Sequence, residues 1–268
     1  MRDLAGKVAV VTGGGSGIGR GTVLALADAG MNIVIGDINE VAASNVVEEV
    51  QGKGCRAIAV KTDVSDRASV EALADAAWAE FGDVHVLHNN AGVVLFLPLA
   101  SMSDADWNWI LQINLYGVVN GIQAFLPRMR AAGGERHIVN TASMAGHFAA
   151  ATLGAYNTTK YAVVGLSEAL HAELAPEGIG VSVLCPGGVS TNIMTTMLRD
   201  RPPGGADMQA PNTGGGSLRM IETDDVGRMV RHAIETNELY IFTHPEFEEI
   251  VRARHERILA AFERWRGP

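Results

Sequence analysis

The sequence predicts an α/β fold, a doubly wound, mostly parallel seven-stranded sheet with helices on both faces. Three observations predict it. Short runs rich in valine and isoleucine recur along the chain, continuous rather than alternating, as strands buried on both faces require. Longer amphipathic stretches at helical spacing separate them. The connections are short, so the helices themselves must serve as crossovers between parallel strands.

The elements follow in order. Lys7–Thr12 (KVAVVT) reads as a buried strand, and a glycine cluster then opens a helix that runs to about Ala29 and closes at Gly30. The next strand is 32–37 (NIVIGD). The cycle continues with a helix over 39–52, a strand over 56–61, a helix over 66–81 and a strand over 84–88. A long helix over 104–130, a strand over 136–141, a helix over 155–175 and a strand over 179–185 come next. The stretch Arg199–Gly216 holds Pro202, Pro203, Pro211 and five glycines, and a connection of that length in a compact fold reads as a functional lid, roughly 192–220. A helix over 223–236 and a short strand over 239–242 complete the sheet. A last helix from Pro245 to Trp265 carries Phe247, Ile250, Val251, Ile258, Leu259, Phe262 and Trp265 at mostly helical spacing. That stripe is expected to pack on this subunit or on a partner subunit rather than on lipid. No composition break divides the chain before residue 190, so 1–268 is read as a single domain, with 245–268 as a helical extension.

Bulk properties exclude several partners. With 21 basic and 30 acidic residues the formal charge is −9, which repels nucleic acid and anionic membrane. No apolar stretch reaches the ~18–20 residues of a membrane span. Met1–Gly6 shows no basic region leading into a long apolar one, so no signal peptide is expected. The two cysteines, Cys55 and Cys185, lie in or beside strand-like runs and read as buried free thiols, which suits a cytoplasmic protein. No metal site is expected, because no CxxC or HExxH occurs and His85 and His88, three apart on a strand, face opposite ways.

The turn after the first strand reads Thr12-Gly13-Gly14-Gly15-Ser16-Gly17-Ile18-Gly19. Its spacing is GxxxGxG at Gly13, Gly17 and Gly19, not the generic GxGxxG, but the physics is shared. The backbone must turn sharply and approach a pyrophosphate closely at a helix N-terminus, where a β-carbon would obstruct it. Asp37 ends the second strand, 24 residues after Gly13, where a carboxylate can accept from adenosine ribose hydroxyls and would repel a 2′-phosphate. No Arg or Lys stands at position 16 or 38 to compensate, so NAD is favoured over NADP. The plainer alternative is that Asp37 only ends a strand, with Asn39 capping the next helix.

Tyr156 and Lys160 are four apart at the start of a helix and share a face. A phenol with a pKa near ~10 is a poor base at neutral pH, and a neighbouring ammonium lowers that value. Tyr156 could then give or take the proton that hydride transfer at a carbonyl requires. Ser143, just past a strand end, could hold the substrate oxygen, since open α/β sheets bind ligands at strand carboxyl ends.

In order along the chain, T12-G-G-G-S-G-I-G19, Asp63-Val64, N89-N-A-G92, Asn114, Ser143, Y156-N-T-T-K160 and P186-G-G-V-S-T191 resemble the motifs of the short-chain dehydrogenase/reductase family over about residues 5–242. The resemblance implies a Rossmann-type fold and roles position by position. Gly13, Ser16, Gly17, Ile18 and Gly19 would cradle the dinucleotide. Asp63 and the Val64 backbone would hold its adenine, and Asn90, Ala91 and Gly92 would line its path. Lys160 would bind the nicotinamide ribose as well as tune Tyr156, and Asn114 would bind a water that completes a proton relay. Pro186, Gly187 and Val189 would touch the nicotinamide, and Thr191 its carboxamide. Read without the family, N89-N-A-G92 is only a turn, Asp63 merely precedes a helix cap at Ser65, and Thr191 is itself a cap. A dimer or tetramer is implied by the same resemblance, with Trp107 and Trp109 opening a helix that pairs subunits.

Position alone nominates the substrate walls: Leu95, Phe96, Met144, His147, Leu153, Gly188, Met194 and Met197. None is basic, which disfavours a carboxylate, phosphate or acyl-carrier substrate. His147 reads either as a substrate contact or as a solvent-facing loop residue. The C-terminal part, from Asn237 through the charged helix, and Asn120–Met129 are similar to bacterial dehydrogenases that oxidise benzylic alcohols in lignin-derived aryl ethers. That points to a bulky apolar or aromatic secondary alcohol or ketone. The competing expectations are a 3-oxoacyl-thioester reductase, which Asp37 disfavours if it needs NADPH, and a non-catalytic dinucleotide-binding protein.

Overall fold

A computed structural model describes residues 1–203 and 219–266. The centre of the expected lid falls outside the described residues, as does the side chain of Met197. The chain runs β1 (Val8–Thr12), α1 (Gly17–Asp28), β2 (Asn32–Asp37), α2 (Glu40–Gln51), β3 (Ala57–Lys61), α3 (Arg67–Phe81) and β4 (Val86–Asn89). It continues through α4 (Asp104–Leu111), a π turn (Gln112–Tyr116), α5 (Gly117–Ala132), β5 (Arg136–Thr141), α6 (Gly154–Leu174) and β6 (Ile179–Cys185). The remaining elements are β7 (Gly188–Val189), α7 (Ile193–Asp200), β8 (Met220–Ile221), α8 (Thr223–Thr236), β9 (Tyr240–Phe242) and α9 (Glu248–Glu263).

Seven strands form one parallel sheet in the order β3-β2-β1-β4-β5-β6-β9. The central strands are buried at every position, which is why they read as unbroken apolar runs. One face packs Val23 and Leu26 of α1, Val46 and Val50 of α2 and Val226 and Val230 of α8 against the sheet. The other packs Leu73 of α3, Phe125 and Met129 of α5 and Leu170 and Leu174 of α6. The order reverses between β1 and β4, so a crevice opens beyond their carboxyl ends, where such sheets bind ligands. Among the described residues no helix is long and apolar enough to cross a membrane.

Five local expectations change. The single helix over 104–130 is two helices joined by the π turn, which carries Asn114. The helix after Asp63 is capped by Asp66, whose side chain accepts from Ala68 N, and not by Ser65. Part of the expected lid is regular: α7 forms, and β8 pairs in parallel with β7 as Gly188↔Met220 and Val189↔Ile221. Cys55 is only half-buried, with its thiol on the Ala27 carbonyl, whereas Cys185 is fully buried. The α9 stripe is divided: Phe247 and Val251 pack on the body, while Ile258, Leu259, Phe262 and Trp265 are exposed.

Candidate active site

The carboxyl ends of β1, β4, β5 and β6 deliver the expected residues to one edge of the sheet. The glycine turn is shaped by close approach. Gly13 has φ +63°, and a β-carbon there would lie 2.9 Å from Ala91 Cα. One on Gly19 would collide with the Gly13 carbonyl. Ser16 caps α1 in extended backbone without a side-chain cap bond, and no acidic residue stands in the first turn, so the helix N-terminus has no counter-charge of its own. Asp37 Oδ2 accepts from Gly15 N at 2.9 Å and Oδ1 from Asn39 N at 2.9 Å, while Asn39 caps α2. A carboxylate has further lone pairs for ligand hydroxyls, so Asp37 both braces the turn and can bind. A β-carbon on Gly17 would meet Thr191 Cγ2 at 3.3 Å, which brings Thr191 across from the turn. Its hydroxyl lies 3.5 Å from Ile193 N at the start of α7, a weak cap. An open depression of about 370 Å³ beside Asp37 is lined by Ile38, Asn39, Glu40, Val41, Arg199 and Asp200. Arg199 is paired with Asp200 at 2.5 and 2.7 Å. The close-packed glycine turn at an uncompensated helix N-terminus and the Asp37 carboxylate beside it fit a dinucleotide.

Asp63, Asn90 and Asn114 have structural partners that sequence could not supply. Asp63 Oδ1 accepts from Ser65 N and Oγ, and Val64 is buried against Gly117. Asn90 Nδ2 donates to the Thr12 carbonyl at 3.0 Å, and the Asn90 and Ala91 amides both donate to Thr12 Oγ1. Thr12, given no role above, therefore ties this loop to the glycine turn. The Asn114 side chain accepts from Val93 N and donates to Val93 O, each at 2.8 Å, and donates to Thr159 Oγ1 at 3.2 Å. It holds a loop and a helix together and has no side-chain donor left for a relay water. A β-carbon on Gly92 would lie 3.3 Å from Asn114 Oδ1 and 3.6 Å from Lys160 Nζ, so these three converge.

Ser143, Tyr156 and Lys160 meet. The Ser143 hydroxyl is near enough to the Tyr156 phenol to pull its pKa down, and Lys160 Nζ lies 5.5 Å from the Tyr156 ring centroid. Ser143 Oγ also lies 3.3 Å from the Pro186 carbonyl. The buried Lys160 ammonium donates to the Thr141 carbonyl at 2.9 Å. Burial lowers Lys160 to about 8. Burial also holds Tyr156 above its ordinary value, with the nearby Ser143 hydroxyl pulling the other way. Desolvation thus dominates at the phenol, and the Lys160 ammonium is turned to a carbonyl. Asn157, which sequence reasoning passed over, clamps the loop after Ser143: its Nδ2 donates to Ala145 O at 2.7 Å and Phe148 O at 2.9 Å.

The substrate candidates divide. Phe96, Leu153 and Tyr156 cluster with the buried Leu95 and with Trp107, Trp109 and Ile193. The two tryptophans, expected at a subunit contact, thus pack beside this wall. Met144 is core: it is 3% exposed and packs with Val163, Val183 and Cys185, so its side chain is spent on the interior and not on a wall. Gly188 is buried in β7, and Met194 is exposed on α7. His147 is half-buried and packed on the body of the protein. Its Nε2 lies 3.2 Å from Cys185 Sγ, its ring packs edge-on to Phe242 at 5.1 Å, and burial lowers its pKa.

A family model described as short chain dehydrogenase matches residues 7–202. The chain belongs to the short-chain dehydrogenase family. It is 34% identical over 266 residues to the C alpha-dehydrogenase of Sphingobium sp. strain SYK-6, covering 97% of this chain and 87% of that protein. The similarity to bacterial benzylic-alcohol dehydrogenases therefore extends along nearly the whole chain. A short-chain dehydrogenase/reductase from Burkholderia phymatum, solved in complex with NAD, superposes with a TM-score of 0.89 at 38% identity, covering 97% of each chain. A 3-ketoacyl-(acyl-carrier-protein) reductase from Brucella melitensis, solved with NADH, superposes at 0.77 with 30% identity, covering 90% of this chain and 98% of that one. The chain is thus an oxidoreductase of this family, with a Rossmann-like sheet and alcohol-oxidising relatives.

Proposed function

We propose that this oxidoreductase uses NAD to interconvert a bulky, apolar or aromatic secondary alcohol and its ketone. The observation that carries the reading is the convergence of Ser143, Tyr156 and Lys160 beside the glycine turn. NAD, when bound, supplies the hydride acceptor and its reduced form the donor. Ser143 Oγ holds the substrate oxygen. Tyr156 as phenolate takes the alcohol proton in oxidation, becoming the phenol, and as phenol gives that proton to the ketone oxygen in reduction. Lys160 keeps a positive charge near the phenol, which favours phenolate in the occupied site, and offers donors to the nicotinamide ribose. Gly187 and Val189 would hold the nicotinamide, and the Asp37 carboxylate would favour NAD over NADP.

The apolar wall of Phe96, Leu153 and Trp109 supports an aromatic substrate. Cofactor preference does not separate this reading from thioester reduction, given the NADH-bound 3-ketoacyl reductase above; a substrate panel does. The expected result is NAD reduction with aryl secondary alcohols and little with carboxylated or thioester compounds; the reverse order would overturn the substrate reading. Tyr156→Phe should lose turnover by about a thousandfold or more while NADH titration stays unchanged. Retained turnover would remove Tyr156 from the chemistry. The same reading has the enzyme work as a homo-oligomer: Leu259, Phe262 and Trp265 are 63%, 64% and 88% exposed and suit a second copy as cover. Its unpaired cysteines suit a cytoplasmic setting.

A further inference from the structure

Beyond β9 the chain continues through Thr243 and His244, well past the region matched by the family model. Both residues are 1% exposed. Thr243 Oγ1 lies 3.1 Å from Gly187 N and 2.6 Å from His244 Nδ1, and His244 Nε2 lies 3.0 Å from the Arg219 carbonyl. A carbonyl only accepts, so Nε2 carries the ring proton and Nδ1 of the neutral ring accepts. Thr243 then donates to Nδ1 and accepts from the Gly187 amide. The bonds form one directed chain from Gly187 through Thr243 and His244 to Arg219.

Both ends of that chain lie on one ribbon. Gly187 precedes β7, and Arg219 precedes its partner β8. Two strands of two residues each cannot hold themselves in water. Side-chain packing adds to the hold. A β-carbon on Gly187 would lie 2.7 Å from His244 Cγ and 2.8 Å from Phe247 Cε2, so two rings close off that face. Phe247 in turn stacks on Phe148 at 5.4 Å and 20°, in the loop that follows Ser143.

We infer that Thr243 and His244 are positioning residues that fix Gly187–Val189 against the dinucleotide. The inference rests on the dinucleotide reading of the site. Thr243→Val keeps the shape and removes the hydroxyl, leaving the Gly187 amide and His244 Nδ1 without partners. Two measurements test it, NADH titration by fluorescence and amide hydrogen exchange of the protein without ligand. The expected result is about a tenfold rise in the NADH Kd. Faster exchange confined to 187–190 and 219–221 should accompany it, with β1–β3 unchanged and Thr243→Ser restoring both. An NADH Kd within twofold of wild type, or exchange that quickens across the whole sheet, would overturn it. Wild-type protein that binds no NADH would defeat the dinucleotide reading instead, and local exchange alone would then judge whether Thr243 and His244 fix Gly187–Val189.

Discussion

Burial pushes the two central side chains toward their neutral forms, Lys160 down to about 8 and Tyr156 up. For Lys160 the shift has a stability consequence with a definite sign. Below pH 8 the ammonium is charged in both states, and the native state carries the whole burial cost. Between about 8 and the ordinary value of 10.5 the unfolded chain holds more protons, so stability rises with pH. Wild type should therefore gain stability relative to Lys160→Met as pH rises from 8 to 10.5, measured by urea denaturation. A difference that stays flat across that window would mean the ammonium is solvated. At this scale Ser143, Tyr156 and Lys160 were legible because their chemistry needs those residue types at that spacing. Asn157 and Thr159 were not, because their partners are backbone carbonyls or a side chain 45 residues away.

The neighbouring strands β4, β5 and β6 carry a seam of buried polar pairs. His88 Nε2 lies 2.8 Å from Thr141 Oγ1, and His137 Nε2 lies 2.8 Å from Ser182 Oγ. Burial lowers both histidines to about 3. Each ring is neutral in the native state and takes up its proton near 6.5 when unfolded, so the protein loses stability as pH falls from about 6.5 toward 3. The slope approaches on the order of 1 kcal/mol per pH unit per ring. Thermal melts across that range should be less acid-sensitive in His88→Asn; an unchanged slope would show that His88 takes no part. Neither histidine looked unusual in sequence, since each sits in an ordinary strand run. The π turn was equally hidden. Apolar spacing continues through residues 104–130, and the Asn114 that the turn carries bonds to Val93, 21 residues earlier.

At the scale of the molecule, α9 projects an apolar stripe that only its first turn buries. If a second copy covers it, sedimentation should return more than one copy per particle, and Leu259→Glu with Phe262→Glu should shift the distribution to smaller species. A wild-type monomer, or an unshifted double variant, would leave that face to another role.

Sequence by itself determined the order of the seven strands of the parallel sheet and the helices between them, the glycine turn and the candidate trio Ser143, Tyr156 and Lys160. Each rests on local periodicity or on the chemistry of a residue type at short spacing. Tertiary structure alone decided which candidates line the wall and which are core, as Met144 and Leu95 demonstrate. It also decided that Thr243 and His244, late in the chain, reach under Gly187. Such contacts join residues far apart in sequence through backbone groups that every residue carries, and so they leave no mark in the order of side chains.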